Sequence, residues 1–221
     1  MEVIKKPKQP WPTKAVMEQI YEKHLWGGSE MDFYSGEGSH DPILVEPYIE
    51  VITDFLKHFE SPISVCDFGC GDFNIGQQLV PFSKSYVAVD IVPALIERNK
   101  KLFSHDNLSF DCLDISKDEL PQGDCALVRQ VLQHLSNDEV REILKKLTKF
   151  QYVIITEHLP VGDFIPNKDK ISGQGIRLKQ YSGIDVLAAP FHWKVVSFKE
   201  ILSLELENRK GRIVTNLYTL Y

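Results

Sequence analysis

From Pro42 the run ILVEPYIEVITDFLKHF sets Ile43, Leu44, Tyr48, Val51, Ile52, Phe55 and Leu56 three and four residues apart, the spacing that gathers apolar side chains on one face of a helix. ISVCDFG follows, and it reads as a strand. The two rhythms then alternate. Residues 75–82 predict a helix, YVAVDI (86–91) a strand, 93–103 a helix opened by proline, LSFDCLD (108–114) a strand and CALVRQ (125–130) another. Residues 136–148 predict a helix with Ser136 at the N-cap and Glu139 three positions on, the two halves of a capping box. YVIITEH (152–158) is the most β-branched run in the chain. Strands alternating with helices, several of them apolar along their whole length, predict a doubly wound α/β domain whose parallel sheet is covered on both faces.

Both ends of the chain break this rhythm. WKVVSFKEILSLEL and GRIVTNLYTLY have no helical pattern between them, only ENRKG, and predict a C-terminal antiparallel hairpin. The expected architecture is therefore a mainly parallel, seven-stranded sheet with that hairpin at one edge and helices on both faces. Before Pro42, residues 13–24 predict a short helix, and WGGSEMDFYSGEGSHDP (26–42) is too rich in Gly, Ser and Asp to be regular. It is a loop holding Trp26, Phe33 and Tyr34, which either plug the top of the sheet or face a substrate. Residues 160–192 hold Gly, Pro, Asn and Asp throughout, and an insert that long without periodicity is often functional. We expect two parts: 1–42 as an N-terminal segment with a lid loop, and 43–221 as the domain that carries the insert.

Composition narrows the chemistry. A chain of 221 residues, 43% hydrophobic, can bury one sizeable core. Its 25 basic against 31 acidic residues give a formal charge of -6, with no basic run beyond KKPK near the start, which disfavours capture of nucleic acid through its phosphates. Cys66, Cys70, Cys112 and Cys125 lack the paired spacing of a zinc site and read as reduced thiols, so no metal is expected and the expected location is the cytoplasm. No run of 18 apolar residues predicts a membrane span. Nothing in the sequence fixes the oligomeric state.

The chemistry-bearing stretch is VCDFGCGDFNIG (65–76). A dinucleotide fingerprint wants a small third residue after its two glycines, where Asn74 stands, and Asp67 two positions ahead of Gly69 would repel a pyrophosphate. An ammonium group would be welcomed there. Asp90 ends the next strand, 23 residues after Asp67, where an acid can accept both hydroxyls of a ribose. Asp114 ends the one after, 24 residues later, where an acid can accept from an adenine amine. An ammonium, a ribose diol and an adenine without phosphate together describe S-adenosylmethionine.

VCDFGCGDFNIG, YVAVDIVPALIERNK, CLDIS and LVRQVLQHLS resemble the successive motifs of the class I, Rossmann-like S-adenosylmethionine-dependent methyltransferases over about residues 43–158. WGG, SGEGS (35–39), CGDFN (70–74), DIVP (90–93) and the later Gly173, Arg177, Pro190 and Phe191 are similar to a narrower bacterial-type subgroup. One departure stands in the glycine loop: Phe73 occupies the place where the family often has a third glycine. The resemblance implies that Asp67, Gly69, Gly71 and Phe73 border the methionine end, Asp90 the ribose, and Asp114 the adenine amine, with Ile91 and Ile115 flanking the ring. It also implies that Arg129 and Gln130 face the cofactor's amino-acid end or the acceptor, and that Gly36 and Ser39 belong to a loop closing over the cofactor.

Each acid has a plainer reading: Asp67 as a helix-terminal charge worth about 0.3 to 1 kcal/mol, Asp90 as a strand-end cap, and Asp114, near Asp118 and Glu119, as a solvated acid. Three in register favour the binding role. Methyl transfer is an in-line displacement that needs alignment above all, and a base only when the acceptor must lose a proton. His134, Glu157 and His158 are the candidates for that base; His134 could equally be a packed, hydrogen-bonded core histidine. The charge balance and the insert favour a small polar acceptor, a metabolite or a glycan hydroxyl. An RNA or protein methyltransferase, and a domain that binds the cofactor without chemistry, are the alternatives.

Overall fold

The computed structural model describes residues 11–28, 32–206 and 211–221. The KKPK run (5–8), three residues of the predicted lid loop (29–31) and the hairpin turn (207–210) lie outside the described residues.

Seven strands form one sheet, β1 (Ser64–Phe68), β2 (Ser85–Asp90), β3 (Leu108–Cys112), β4 (Cys125–Arg129), β5 (Tyr152–Leu159), β6 (Ser197–Glu205) and β7 (Arg212–Thr219), in the spatial order β3-β2-β1-β4-β5-β7-β6. The first five pair in parallel, and β7 lies antiparallel between β5 and β6. This is the predicted architecture. After β1 the chain steps outward to β2 and β3, then returns to place β4 on β1's other side, so a crevice opens beyond the carboxyl ends of β1 and β4.

Five α-helices flank the sheet: α1 (Thr13–Glu22), α2 (Pro42–Lys57), α3 (Gly76–Leu79), α4 (Pro93–Leu102) and α5 (Asn137–Leu147). One core cluster joins Met17, Ile20 and Tyr21 of α1 and Val140, Ile143 and Leu144 of α5 to Val128, Val153 and Ile155 of the sheet. The other joins Tyr48, Ile52 and Leu56 of α2 and Leu79 of α3 to Val65, Ala88, Leu127 and Ile154. Each face of the sheet is thus covered by its own apolar layer, as uninterrupted apolar strands require. The capping box of α5 is present in both halves.

Three differences from the sequence reading have local causes. Ile43 is 73% exposed, because the buried stripe of α2 runs through Leu44, Tyr48, Ile52 and Leu56 and Ile43 falls outside it. The helix expected over 75–82 is one α-helical turn followed by a 3-10 turn, Val80–Phe82, where Pro81 removes a backbone donor. β2 and β3 end at Asp90 and Cys112, which leaves Ile91 and Asp114 in the turns beyond them.

The insert, 160–192, is held by Arg177, which is 1% exposed. Its Nε donates to the carbonyl of Lys168 at 3.0 Å; Nη1 donates to Leu132 (3.1 Å) and Gln133 (3.3 Å), and Nη2 to the Leu135 carbonyl and to Asn137 Oδ1, both at 2.8 Å. The planar fork thereby ties the insert to the segment between β4 and α5. A lysine ammonium cannot reach that spread of acceptors. Arg177→Lys is expected to lower stability by about 3 kcal/mol or more, because buried carbonyls lose their donors. Urea unfolding measures it, and an unchanged midpoint would show that the fork does not secure the insert.

Candidate active site

The chain leaves β1 through a turn that glycine makes possible. Gly69 and Gly71 have φ values of 79° and 57°, and a Cβ on either would stand 2.3 Å from a neighbour, Val131 Cγ2 for Gly69 and Ser35 Oγ for Gly71. The turn is pinned to β2 by the amides of Gly69 and Cys70, which both donate to the Val89 carbonyl, at 2.8 and 2.9 Å. Phe73 keeps the left-handed backbone of a third glycine, with φ 65°, but its ring is fully buried against Tyr86, Phe103 and Phe110 at centroid distances of 4.9 to 5.9 Å. Phe73 therefore anchors the loop to the core and does not line the cavity.

A cavity of about 500 Å³ opens above this turn. Past β2 and β3 its walls are Asp90, Ile91, Leu113, Asp114, Ile115 and Ser116; past β4 they are Arg129, Gln130, Val131, Gln133 and His134. Gly69, Cys70 and Gly71 lie between the two ends, since β1 lies between β2 and β4.

The three acids take different positions. Asp90 sits at the cavity wall, where its Oδ2 accepts from the amide of Gly71 at 3.1 Å and Oδ1 from that of Val92 at 3.0 Å. Burial pushes its carboxyl up, against the pull of those two donors. Asp114 lines the same end, accepting from Ser116 through Oδ1 and from Lys117 Nζ through Oδ2 at 2.7 Å; burial would raise its pKa, and these partners bring it below the ordinary value. Asp67 lies apart, beneath the glycine turn, in a separate small cavity beside Arg129, Tyr48 and Tyr86. It accepts from the Tyr86 hydroxyl at 2.9 Å, and burial raises its pKa to about 6 despite that bond and the Arg129 charge. Asp67 does not line the main cavity and stands behind the glycine turn that does.

At the β4 end, Arg129 donates to the Gly38 carbonyl at 2.6 Å and stacks its guanidinium over Tyr48, 4.8 Å from the ring centroid. Gln130 turns the chain with φ 56°. Its side chain packs so closely on Gly38 that a Cβ there would stand 2.2 Å from Oε1. Gly36 and Ser39 line the cavity, Gly36 just ahead of the short 3-10 turn Glu37–Ser39 and Ser39 at its end. His134 lines the cavity, with its ring 5.2 Å from Trp26. Nδ1 lies 3.2 Å from the Gly173 carbonyl, so the proton of the neutral ring sits on Nδ1 and Nε2 keeps its lone pair. Burial pulls its pKa down to about 4.

Glu157 and His158 do not reach the cavity. Glu157 is 3% exposed and points into the α5 face of the sheet, where Oε1 accepts from the amide of Leu132 at 3.0 Å and Oε2 from that of Gln133 at 2.9 Å. Burial lifts its pKa to about 8, opposed by the Arg177 charge and those two donors. His158, next along the strand, directs its ring toward Gly211, where an added Cβ would stand 2.6 Å from Nε2. Consecutive strand residues face opposite sides, and neither side of β5 at this point is the crevice.

Much of the cavity's roof was not predicted. Met17 and Tyr21 of α1, then Leu25 and Trp26, line it together with Ser35, Leu113, Glu139 and Ile176. Tyr34 instead stacks on His40 and borders a separate cavity with Phe33. Within 160–192 only Ile176 lines the main cavity. The i, i+4 spacing of Met17 and Tyr21, continued by Leu25, was the available signal for the roof. Among the described residues no group of His, Cys, Asp or Glu is placed to hold a metal ion, and no helix is long and apolar enough to cross a membrane.

A family model described as a methyltransferase domain matches residues 66–150, from β1 through α5. No curated protein matches the sequence. Among solved structures, the N-methyltransferase NodS from Bradyrhizobium japonicum WM9 in complex with S-adenosyl-L-homocysteine is similar with a TM-score of 0.66 at 12% identity, over 93% of this chain and 100% of that one. Magnesium protoporphyrin IX methyltransferase ChlM from Synechocystis PCC 6803, with bound S-adenosylmethionine, gives 0.57 at 13% identity over 96% and 99%. The methyltransferase domain of bacterial CtHen1-CN gives 0.56 at 17% identity over 79% and 98%. At such identities the likeness is one of fold.

The His134 environment has a consequence for stability. With a folded pKa near 4 and an ordinary value of 6.5, the folded state resists a proton that the unfolded chain accepts, so stability contributed at neutral pH is lost as pH falls from about 6.5 toward 4. Glu157 has the opposite sign, its contribution falling as pH rises from about 4.5 to 8. A comparison of parent with His134→Gln cancels the Glu157 effect. The stability difference between them is expected to shift by about 3 kcal/mol against the parent between pH 7 and pH 4. Urea unfolding at intermediate pH values measures this, and a pH-independent difference would show that His134 titrates normally.

Proposed function

We propose that this chain, a Rossmann-like S-adenosylmethionine-dependent methyltransferase, methylates a small acceptor held at the β4 end of its cavity. The carrying observation is the roof. Gln174 Nε2 donates to the Leu25 carbonyl at 2.6 Å, Tyr21 and Ser35 share a hydroxyl hydrogen bond of 3.0 Å, and Arg129 bonds Gly38. Three segments distant in sequence thus meet above the cavity, and a polymer strand would have to part them. The acidic balance of 31 to 25 also disfavours a nucleic acid. ChlM, named for the small-molecule substrate magnesium protoporphyrin IX, is similar over 96% of this chain.

The residues present fit S-adenosylmethionine. Gly69 and Gly71 form a cradle with no room for a Cβ, so backbone can approach a ligand closely. Asp90 has lone pairs left beyond its two amide bonds with which to accept a ribose diol, and Ile91, Leu113 and Ile115 provide apolar walls for a purine. Asp114 stands at the same end, and Arg129 and Gln130 stand toward the amino-acid end. The volume of about 500 Å³ falls within the roughly 300 to 1,000 Å³ usual for such ligands.

When bound, S-adenosylmethionine supplies an electrophilic methyl group that passes to an acceptor lone pair, releasing S-adenosylhomocysteine and, from a protic acceptor, a proton. The chain's own work is to align and to exclude water. The roof from α1 and the turn Glu37–Ser39 performs the second task. His134, neutral and with an Nε2 lone pair met by the Gln133 amide only at a long 3.4 Å, is placed to accept a hydrogen bond from the acceptor and orient it. A pKa near 4 makes it a poor proton store at neutral pH, so it acts by position more than as a base.

Calorimetry should detect binding of S-adenosylmethionine and S-adenosylhomocysteine but not of NAD; binding of NAD alone would overturn the reading. Asp90→Asn keeps the side chain's shape while removing its charge. Because hydrogen bonds to a charged group are worth about 1.5 to 3 kcal/mol, S-adenosylhomocysteine affinity is expected to fall by roughly one to two orders of magnitude. Unchanged affinity in the folded variant would reduce Asp90 to a clip for Gly71 and Val92.

A further inference from the structure

The two ends of the cavity differ in the polar partners they offer. At the β4 end the apolar surface comes from Leu25, Trp26, Val131 and Ile176. Polar groups there are largely engaged by the chain itself. Arg129 is bonded to Gly38 through Nη2 and stacked on Tyr48, which leaves its buried Nε without a hydrogen-bond partner. Gln133 donates from Nε2 to the Gln130 carbonyl at 3.3 Å, and its Oε1 accepts from the amide of His158 at 3.2 Å. His134 spends Nδ1–H on Gly173, and its Nε2 has only a long 3.4 Å approach from the Gln133 amide. The ring of Trp26 lies beside that of His134, tilted at 47°, and meets Tyr21 edge-on at 5.3 Å. A flat apolar wall and one under-used acceptor therefore adjoin.

A polyhydroxylated sugar would leave most of its hydroxyls unmatched on such a wall, each at a desolvation cost of about 1 to 3 kcal/mol. An anionic acceptor would meet Glu37 in the roof turn. We propose that the acceptor is a planar, largely apolar molecule, aromatic in the simplest case, that lies against Trp26 and offers a single hydroxyl or amino group to Nε2 of His134. Trp26 is then the specificity-determining residue, and the glycan hydroxyl expected from the sequence is displaced as a substrate class. This inference rests on the methyltransferase reading above, because the cofactor, running from the acid end toward Arg129 and Gln130, must leave the part of the cavity beside Trp26 and His134 to the acceptor.

The test uses the full chain saturated with S-adenosylhomocysteine and reads saturation-transfer NMR on three probes: 4-methylphenol, methyl β-glucoside and benzoate. 4-Methylphenol is expected to receive saturation and the glucoside and benzoate none. Trp26→Ala should weaken 4-methylphenol about tenfold, with Trp26→Phe restoring most of the loss. His134→Ala should weaken it as well. Glucoside or benzoate bound in preference to 4-methylphenol, no binding of 4-methylphenol, or binding indifferent to both Trp26 variants would overturn the inference. A calorimetric titration with S-adenosylhomocysteine separates the two levels: its failure in the parent protein defeats the methyltransferase reading itself, whereas its success with a failed probe panel defeats only the acceptor class.

Discussion

The segment from Gln130 to Asn137 is gripped from both chemical ends of its own peptide groups, and the β4 side of the cavity depends on that grip. Glu157 takes the amides of Leu132 and Gln133, while Arg177 supplies donors to the carbonyls of Leu132, Gln133 and Leu135. The Glu157 carboxyl and the Arg177 guanidinium thus act on the same two residues without being bonded to each other. Neither buried group would be tolerated unless its hydrogen bonds were satisfied, and the irregular backbone would have nowhere else to place its polar groups. Each side makes the other's burial tolerable. The result is a non-helical loop held firmly enough to present His134 in one tautomer.

The same segment reaches the insert through a second joint. Gly173 donates its amide to the His134 carbonyl at 2.9 Å and accepts from the His134 ring through its own carbonyl. Lys170 adds a bond from Nζ to the His134 carbonyl at 2.9 Å. The insert is consequently more a clamp than a flap: its glycine and arginine serve the histidine loop, and its contribution to the cavity wall is a single isoleucine. Opening for a ligand is therefore better supplied by the opposite side, where α1 and the turn Glu37–Ser39 meet the cavity through Tyr21, Ser35 and Gly38.

What the sequence disclosed follows from how local each feature is. Strand and helix periodicity repeats every few residues, so β1 to β7, α5 with its capping box and the terminal hairpin were legible at once. That Asp90 and Asp114 would stand at strand ends was legible too, and both line the cavity, because a strand's end fixes where an acid emerges. Asp67, Phe73, Glu157 and His158 were misplaced for one shared reason: a side chain's direction depends on the turn or strand face that carries it, and one residue of phase separates crevice from core. Phe73 illustrates it, holding a glycine's backbone angle while its ring fills the space between Tyr86 and Phe110. Met17 and Tyr21 escaped notice because α1 joins the site only by tertiary packing, and Trp26 was legible only as one of three loop aromatics that either plug the sheet or face a substrate.

Of the three buried carboxylates at one glycine turn, Asp67, Asp72 and Asp90, the first and last are an electrostatic burden that the fold tolerates unequally. Asp67 is pushed up to about 6 by burial, with Arg129 and Tyr86 limiting the rise, and Asp90 is also raised, with only amides to answer it. A neutral ligand would leave that burden in place. A ligand carrying an ammonium or sulfonium charge would relieve it, lowering both pKa values as it binds and releasing protons where Asp67 is partly protonated. A dinucleotide would add pyrophosphate charge to the same turn and raise them further. The preference for a cationic cofactor over a phosphorylated one therefore does not need a dedicated contact. It follows from the placement of two acids beneath and beside a turn too tight to hold a side chain.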